Sequence, residues 1–142
     1  MSYADIEAIK VLKARYFRMM DTKDWDGLTA VFADDVVIDV TNEGGGVTRS
    51  AVEYVAFLRL VIEDVITVHH GHMPEIELTS ETTASGMWAL EDRLWWPEGG
   101  PLTSMHGFGH YRETYERTDD GWRIKTMTIT RLHRFVEAPP PS

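Results

Sequence analysis

Three of the chain's six histidines fall within four residues, in the stretch TVHHGHMPEIEL from Thr67 to Leu78. His69, His70 and His72 allow three chemistries. His70 and His72 form an H-x-H pair on one strand face and, joined by carboxylates, would suit a metal. A single imidazole beside a carboxylate is instead a general base, since histidine titrates near neutral pH and its neighbour fixes the tautomer. The third reading is ordinary strand residues, packed or solvated. Gly71 and Pro74 make the strand irregular, which weighs against the metal. The expectation is therefore an acid–base histidine with no metal and no cofactor. Alternation does not decide which imidazole serves, because a bulge at Gly71 would reverse the register.

Two carboxylates stand out as partners. In TASGMWALEDRLWW, side chains alternate between faces, so Ala84, Trp88, Leu90, Asp92, Leu94 and Trp96 share one of them. Asp92 is the one charge on that apolar face. A buried carboxylate needs a partner or a raised pKa, which makes Asp92 a candidate for the site. Asp21, in MMDTKDWD, falls at the end of a helix, where the negative end of the macrodipole disfavours it by about 0.3–1 kcal/mol. It is either an Asx-type cap for the next helix or a partner for a proton or histidinium. Tyr16 lies on the core side of the same helix, and its hydroxyl wants a polar neighbour. Arg131 shares a strand face with Met127 and Ile129, placed to answer a buried carboxylate or an anionic substrate group.

The elements that carry these residues are readable. Ile6, Ile9, Leu12, Tyr16 and Met20 recur at helical spacing behind a Ser2 start. A short helix is expected over Asp24–Ala33 and a strand over Val36–Val40. A third helix fits SAVEYVAFLRLVIED, with Ser50 and Glu53 as a capping box. Four strands follow, over Thr67–Thr79, Thr83–Trp96, Thr103–Thr118 and Trp122–Phe135, joined by turns at WPEGGP and TDDGW. Consecutive strands joined by short turns give an antiparallel sheet. The expected class is α+β, with a curved antiparallel sheet, mixed at its edge, wrapped as a cone around three N-terminal helices. Residues 1–136 form one domain, and 137–142 a disordered proline-rich tail.

Composition narrows the function further. The chain has 142 residues, no cysteine and a net charge of −9. Cysteine nucleophiles, thiolate metal sites and disulfides are excluded. A nucleic-acid partner is not expected without a basic patch, nor a membrane span without a long apolar run. The N-terminus lacks the features of a signal peptide, so a cytoplasmic location is expected.

The stretches DIEAIKVLKARYFRMMDTKDWDGL, HHGHMPEIELTSETTASGMWALEDRL and YERTDDGWRIKTMTITRLHR resemble the SnoaL-like branch of the nuclear transport factor 2-like superfamily. This branch includes scytalone dehydratase, hexachlorocyclohexane dehydrochlorinase and polyketide cyclases, and the closest resemblance is to bacterial bile-acid 7α-dehydratases. It covers roughly residues 4 to 135. The resemblance implies a site of Tyr16, Asp21, His69 and Asp92, with Arg131 lining the pocket. It implies a cofactor-independent dehydratase acting on a hydrophobic, steroid-like or polycyclic carbonyl compound. An isomerase, a cyclase or a non-catalytic binding module is the alternative. It also implies a homo-oligomer, dimer or trimer. Val40 stands where those dehydratases carry a pocket tyrosine, and the loops NEGGGVTRS and WWPEGGPLTSMHG depart from their pattern.

Overall fold

The computed structural model describes residues 2–141. Helix α1 (Tyr3–Asp21) starts where the Ser2 hydroxyl accepts from the Ala4 N–H and buries Ile9, Leu12, Tyr16 and Met20 along one stripe. Helix α2 is Trp25–Thr29 and α3 is Ala51–Ile62, capped by the Ser50 hydroxyl on the Glu53 N–H. The strands are β1 (Phe32–Asp39), β2 (Val47–Thr48), β3 (Ile66–Leu78), β4 (Thr83–Trp95), β5 (Ser104–Thr118) and β6 (Gly121–Glu137), and a 3₁₀ turn, Thr41–Glu43, lies between β1 and β2. The four long strands match their expected bounds to within two residues.

Helix α2 is shorter than the expected Asp24–Ala33. Its pattern runs on through Val31 and Phe32, but Phe32 pairs with Ile124 of β6 and already belongs to β1. Pairing with a strand from the far end of the chain overrides local helical spacing here.

The six strands form one sheet in the order β2-β1-β6-β5-β4-β3. Pairing is antiparallel throughout except for β1 against β6, which is parallel. Register shifts leave Leu132 and Lys125 of β6 as extra residues opposite Phe108/Gly109 and Thr114/Tyr115 of β5 and bend β6, and bulges of this kind curl a sheet around what it covers. The helices fill the concave face. Its core joins Ile9, Leu12, Val36, Ile38, Val55 and Ile124, among others. Beyond β6, residues 138–141 carry no regular structure; Ser142, the end of the expected tail, lies outside the described residues. Among the described residues no helix is long and apolar enough to cross a membrane.

One charged pair sits inside this core. Lys13 is 0% exposed, and its Nζ donates to Glu113 Oε2 at 2.7 Å. The ammonium also lies 3.5 Å from the ring centroid of Tyr111 and 3.8 Å from that of Tyr16, an attractive cation–π arrangement. Glu113 Oε1 accepts from the Tyr115 hydroxyl at 2.7 Å, and that hydroxyl accepts from Trp88 Nε1 at 2.9 Å. Burial pushes Lys13 down to about 8 even though Glu113 pulls it up. In the unfolded chain a lysine holds its proton to about pH 10.4. Between pH 8 and 10 the unfolded state therefore binds the extra proton, and Lys13's contribution to stability rises with pH. Urea midpoints should show this rise in the wild type, and a Lys13→Met/Glu113→Leu double variant should lose it.

Candidate active site

The last turn of α1 aims Asp21. Lys23 takes a left-handed conformation, φ 63°, that stops the helix and folds the chain back. The Asx cap of α2 is Asp24, whose Oδ1 accepts from the Gly27 N–H, so Asp21 is free to reach β3. There Oδ2 accepts from the His69 N–H at 2.9 Å and Oδ1 from the Thr67 hydroxyl at 2.9 Å. The His69 ring closes the set, with Nδ1 2.7 Å from Asp21 Oδ1. Lys23 Nζ donates to the Thr67 hydroxyl at 2.8 Å. These donors offset the unfavourable end of the helix dipole. An ionised carboxylate only accepts, so the His69 ring carries a proton on Nδ1, and in the neutral ring Nε2 is the bare nitrogen.

Asp92 stands opposite His69 in the β3–β4 ladder, with its Oδ2 3.8 Å from Nε2. It is 3% exposed and does not stand alone. Arg131 Nη1 and Nη2 donate to its two oxygens at 2.7 and 2.8 Å, a two-pronged grip that suits planar guanidinium to carboxylate. The same guanidinium donates through Nε to Glu43 Oε1 at 2.6 Å, and the Arg131 N–H donates to Asn42 Oδ1 at 2.6 Å. The 3₁₀ turn is thereby tied to β6. Burial alone works against the charge on Arg131, but Asp92 and Glu43 more than offset it and raise its pKa. Gly107 makes room for the pair: a Cβ there would meet Arg131 Nη1 and Asp92 Oδ1, each at 2.5 Å.

His69, Asp92 and Arg131 open onto one cavity of about 310 Å³, with Tyr16, Tyr54 and Tyr111 on its wall. Leu58, Ile62, Leu94, Trp96 and Met105 supply apolar lining. Burial, then the neighbouring Tyr111, raises the pKa of Tyr16, so its hydroxyl stays protonated and can donate. Volume does not pick this site. A larger depression of about 520 Å³ on the outer face, near Met87, Arg112 and Thr114, is open and polar and holds none of these groups.

A family model of the SnoaL-like domain matches residues 1–128. The chain belongs to that family. A curated relative, the probable cyclase FGR4 of Gibberella zeae, is 25% identical over 130 residues, which is 85% of this chain and 87% of that protein. Among solved structures, hexachlorocyclohexane dehydrochlorinase LinA-type3 from Novosphingobium barchaimii superposes with a TM-score of 0.81 at 20% identity, covering 97% of this chain and 96% of that one. A Novosphingobium aromaticivorans protein provisionally assigned as a scytalone dehydratase gives a TM-score of 0.83 at 19% identity, over 98% and 95% of the two chains. At such identities the superpositions speak for the fold.

In this SnoaL-like chain the five residues singled out in the sequence come together around one cavity wall: Asp21 holds His69, and the other four line the cavity. His70 and His72 do not join them, because the strand turns them to the outer face. The register shift on β3 falls between His72 and Glu75, not at Gly71. Glu43, Tyr54, Thr67 and Lys23 also serve the site and were not anticipated. Nothing local marks Glu43, which sits in a glycine-rich loop. Of the strand aromatics, Phe108 and Trp95 face outward and Tyr111 faces in. Long-range ¹H–¹⁵N spectra at neutral pH should show His69 as the Nδ1-protonated tautomer. Asp21→Ala should remove that preference and leave the fold's circular dichroism unchanged.

Proposed function

We propose that this SnoaL-like domain is a cofactor-independent lyase, a dehydratase acting on a hydrophobic, steroid-like or polycyclic carbonyl compound. The observation that carries the reading is the 2.7 Å contact between His69 Nδ1 and Asp21, which leaves Nε2 as the basic atom beside the cavity. His69 removes a carbon-bound proton that a carbonyl makes acidic, directly or through a conjugated C=C bond. The C–H electron pair becomes the new double bond, and the C–O pair of a neighbouring hydroxyl leaves with its oxygen. That oxygen takes up the proton held on Nε2 and departs as water, so the imidazole ends as it began. Asp21 and Asp92 flank the ring and stabilise its charged form. Tyr16 donates a hydrogen bond to the oxygen that gathers charge.

Of the two answers open to a buried carboxylate, a partner or a raised pKa, Arg131 supplies the partner. With both oxygens accepting from Arg131, Asp92 acts as a fixed negative charge that orients the imidazolium. The cavity volume sits at the lower end of the roughly 300–1,000 Å³ usual for small-molecule sites, which suits a ring system whose substituents reach into the mouth. Val40 is buried in the wall where the bile-acid enzymes carry a tyrosine, so the substrate meets methyl groups there in place of a phenol. The exposed Trp95, Phe135 and Val136 of the sheet support assembly as a homo-oligomer, dimer or trimer.

Isomerisation or cyclisation uses the same base and donor, and the resemblance to a probable cyclase favours it as the second reading. Mass spectrometry separates the two, since only dehydration removes water from the product. With 7-hydroxy-3-oxo steroids that carry a C=C bond conjugated to the ketone, and their thioesters, as substrates, the wild type should form the dehydrated product. His69→Ala should lower kcat by about 10²–10⁴-fold and Tyr16→Phe by about 10²–10³-fold, both with native circular dichroism. Wild-type turnover in His69→Ala would remove the imidazole from the mechanism.

A further inference from the structure

Two imidazoles of the HHGH run have no part in the cavity. His70 and His72 project from the outer face of β3, where His70 pairs with Glu91 across the ladder to β4. One ligand atom from each of His70, His72 and Glu91 can be chosen so that all three lie within 4.8 Å of one another. His72 Nε2 and Glu91 Oε1 are 3.3 Å apart. That is about the edge of a tetrahedron whose bonds to zinc run ~2.0–2.2 Å. The two remaining edges, both from His70, are within 4.8 Å, and His70 is exposed, so its ring is free to rotate toward the ion. A depression of about 140 Å³ opens beside His70, Glu91 and Arg93.

Glu91 is held ready by groups that point away from the two histidines. Its other oxygen, Oε2, is 2.7 Å from His106 Nε2, while His106 Nδ1 is 3.1 Å from Arg93 Nη2. A guanidinium only donates. His106 therefore accepts at Nδ1, carries its proton on Nε2 and donates to Glu91. Fixing one carboxylate oxygen in this way presents the other to a metal, as the outer hydrogen bonds of metal sites do. The irregularity of β3, which weighed against an H-x-H site in the sequence, begins only after His72. The pair itself sits in regular ladder.

We propose that His70, His72 and Glu91 form a zinc site on the outer face, with His106 as a positioning residue for Glu91. Two imidazoles and one carboxylate suit a borderline divalent ion of the zinc class, whereas calcium and magnesium take oxygen ligands. The bound ion clamps β3, an edge strand, to β4. His70 and Glu91 are neighbours in register to His69 and Asp92, so the clamp fixes the ladder one residue from the proposed base.

Untagged protein equilibrated with Zn²⁺ by dialysis, its metal then counted by plasma mass spectrometry, tests the site without reference to turnover. The wild type should retain stoichiometric zinc, and its Tm should rise with zinc concentration, as binding to the folded state requires. His72→Ala and Glu91→Gln, both with native circular dichroism, should lose both responses. His106→Ala should weaken binding by about 10–100-fold. His69→Ala, inside the cavity, should bind zinc as the wild type does. Co²⁺ in place of zinc should give the visible absorption of a tetrahedral site, absent in His72→Ala. A wild type that retains no zinc, wild-type binding in His72→Ala, or loss of binding in His69→Ala would overturn the assignment.

Discussion

Putting a carboxylate on the apolar side of β4 obliges the molecule to bring a cation to it, and the inner face is arranged around that demand. Asp92 lies among Leu90, Leu94 and Tyr111 in the interior, where an unpaired charge is untenable. Arg131 meets it from β6, reaching across β5. Glu43 then answers the remaining face of the guanidinium, and the 3₁₀ turn that carries it is drawn over the cavity rim. One buried charge thus fixes side chains from β4 and β6 and from the segment after β1. A polar cluster satisfied on every side can persist in an apolar surround, where a half-satisfied one would not.

His69 joins this arrangement to the helical layer. Its ring has Asp21 of α1 on one nitrogen and Asp92 of β4 near the other. Both carboxylates are placed against local preference, one at the negative end of a helix and one on an apolar strand face. Departures of this kind from local rules tend to mark working sites, and here the two converge on a single imidazole. The deeper Lys13–Glu113 pair keeps a second cation against the rings of Tyr16 and Tyr111, so the cavity's phenols are packed on charge as well as on hydrocarbon.

How far the chain announced all this varies with the range of the forces involved. The long strands were readable because alternation and turn chemistry are local. Asp92 and Tyr16 were readable for the same reason, as polar groups on apolar faces. Spacing alone did not choose His69 over His70, a choice that only the family resemblance supplied, since it is decided by the partner strand that sets His69 opposite Asp92. The early start of β1 and its parallel pairing with β6 depend on a segment far along the chain, Phe32 pairing with Ile124. Lys13 and Glu43 look like surface residues, as lysine and glutamate usually are. Only the folded arrangement gives them partners, and no spacing rule could have found them.

Gly107 carries none of the cavity's lining, yet the Asp92–Arg131 pair occupies the space that a Cβ there would take. A methyl group at that position would have to lift the guanidinium off its carboxylate, and the disturbance would pass to Glu43 and the rim above. In a survey of variants, position 107 would therefore score with the polar residues it supports, though it contributes only empty space. The vacancy left by a missing side chain is itself part of the machinery.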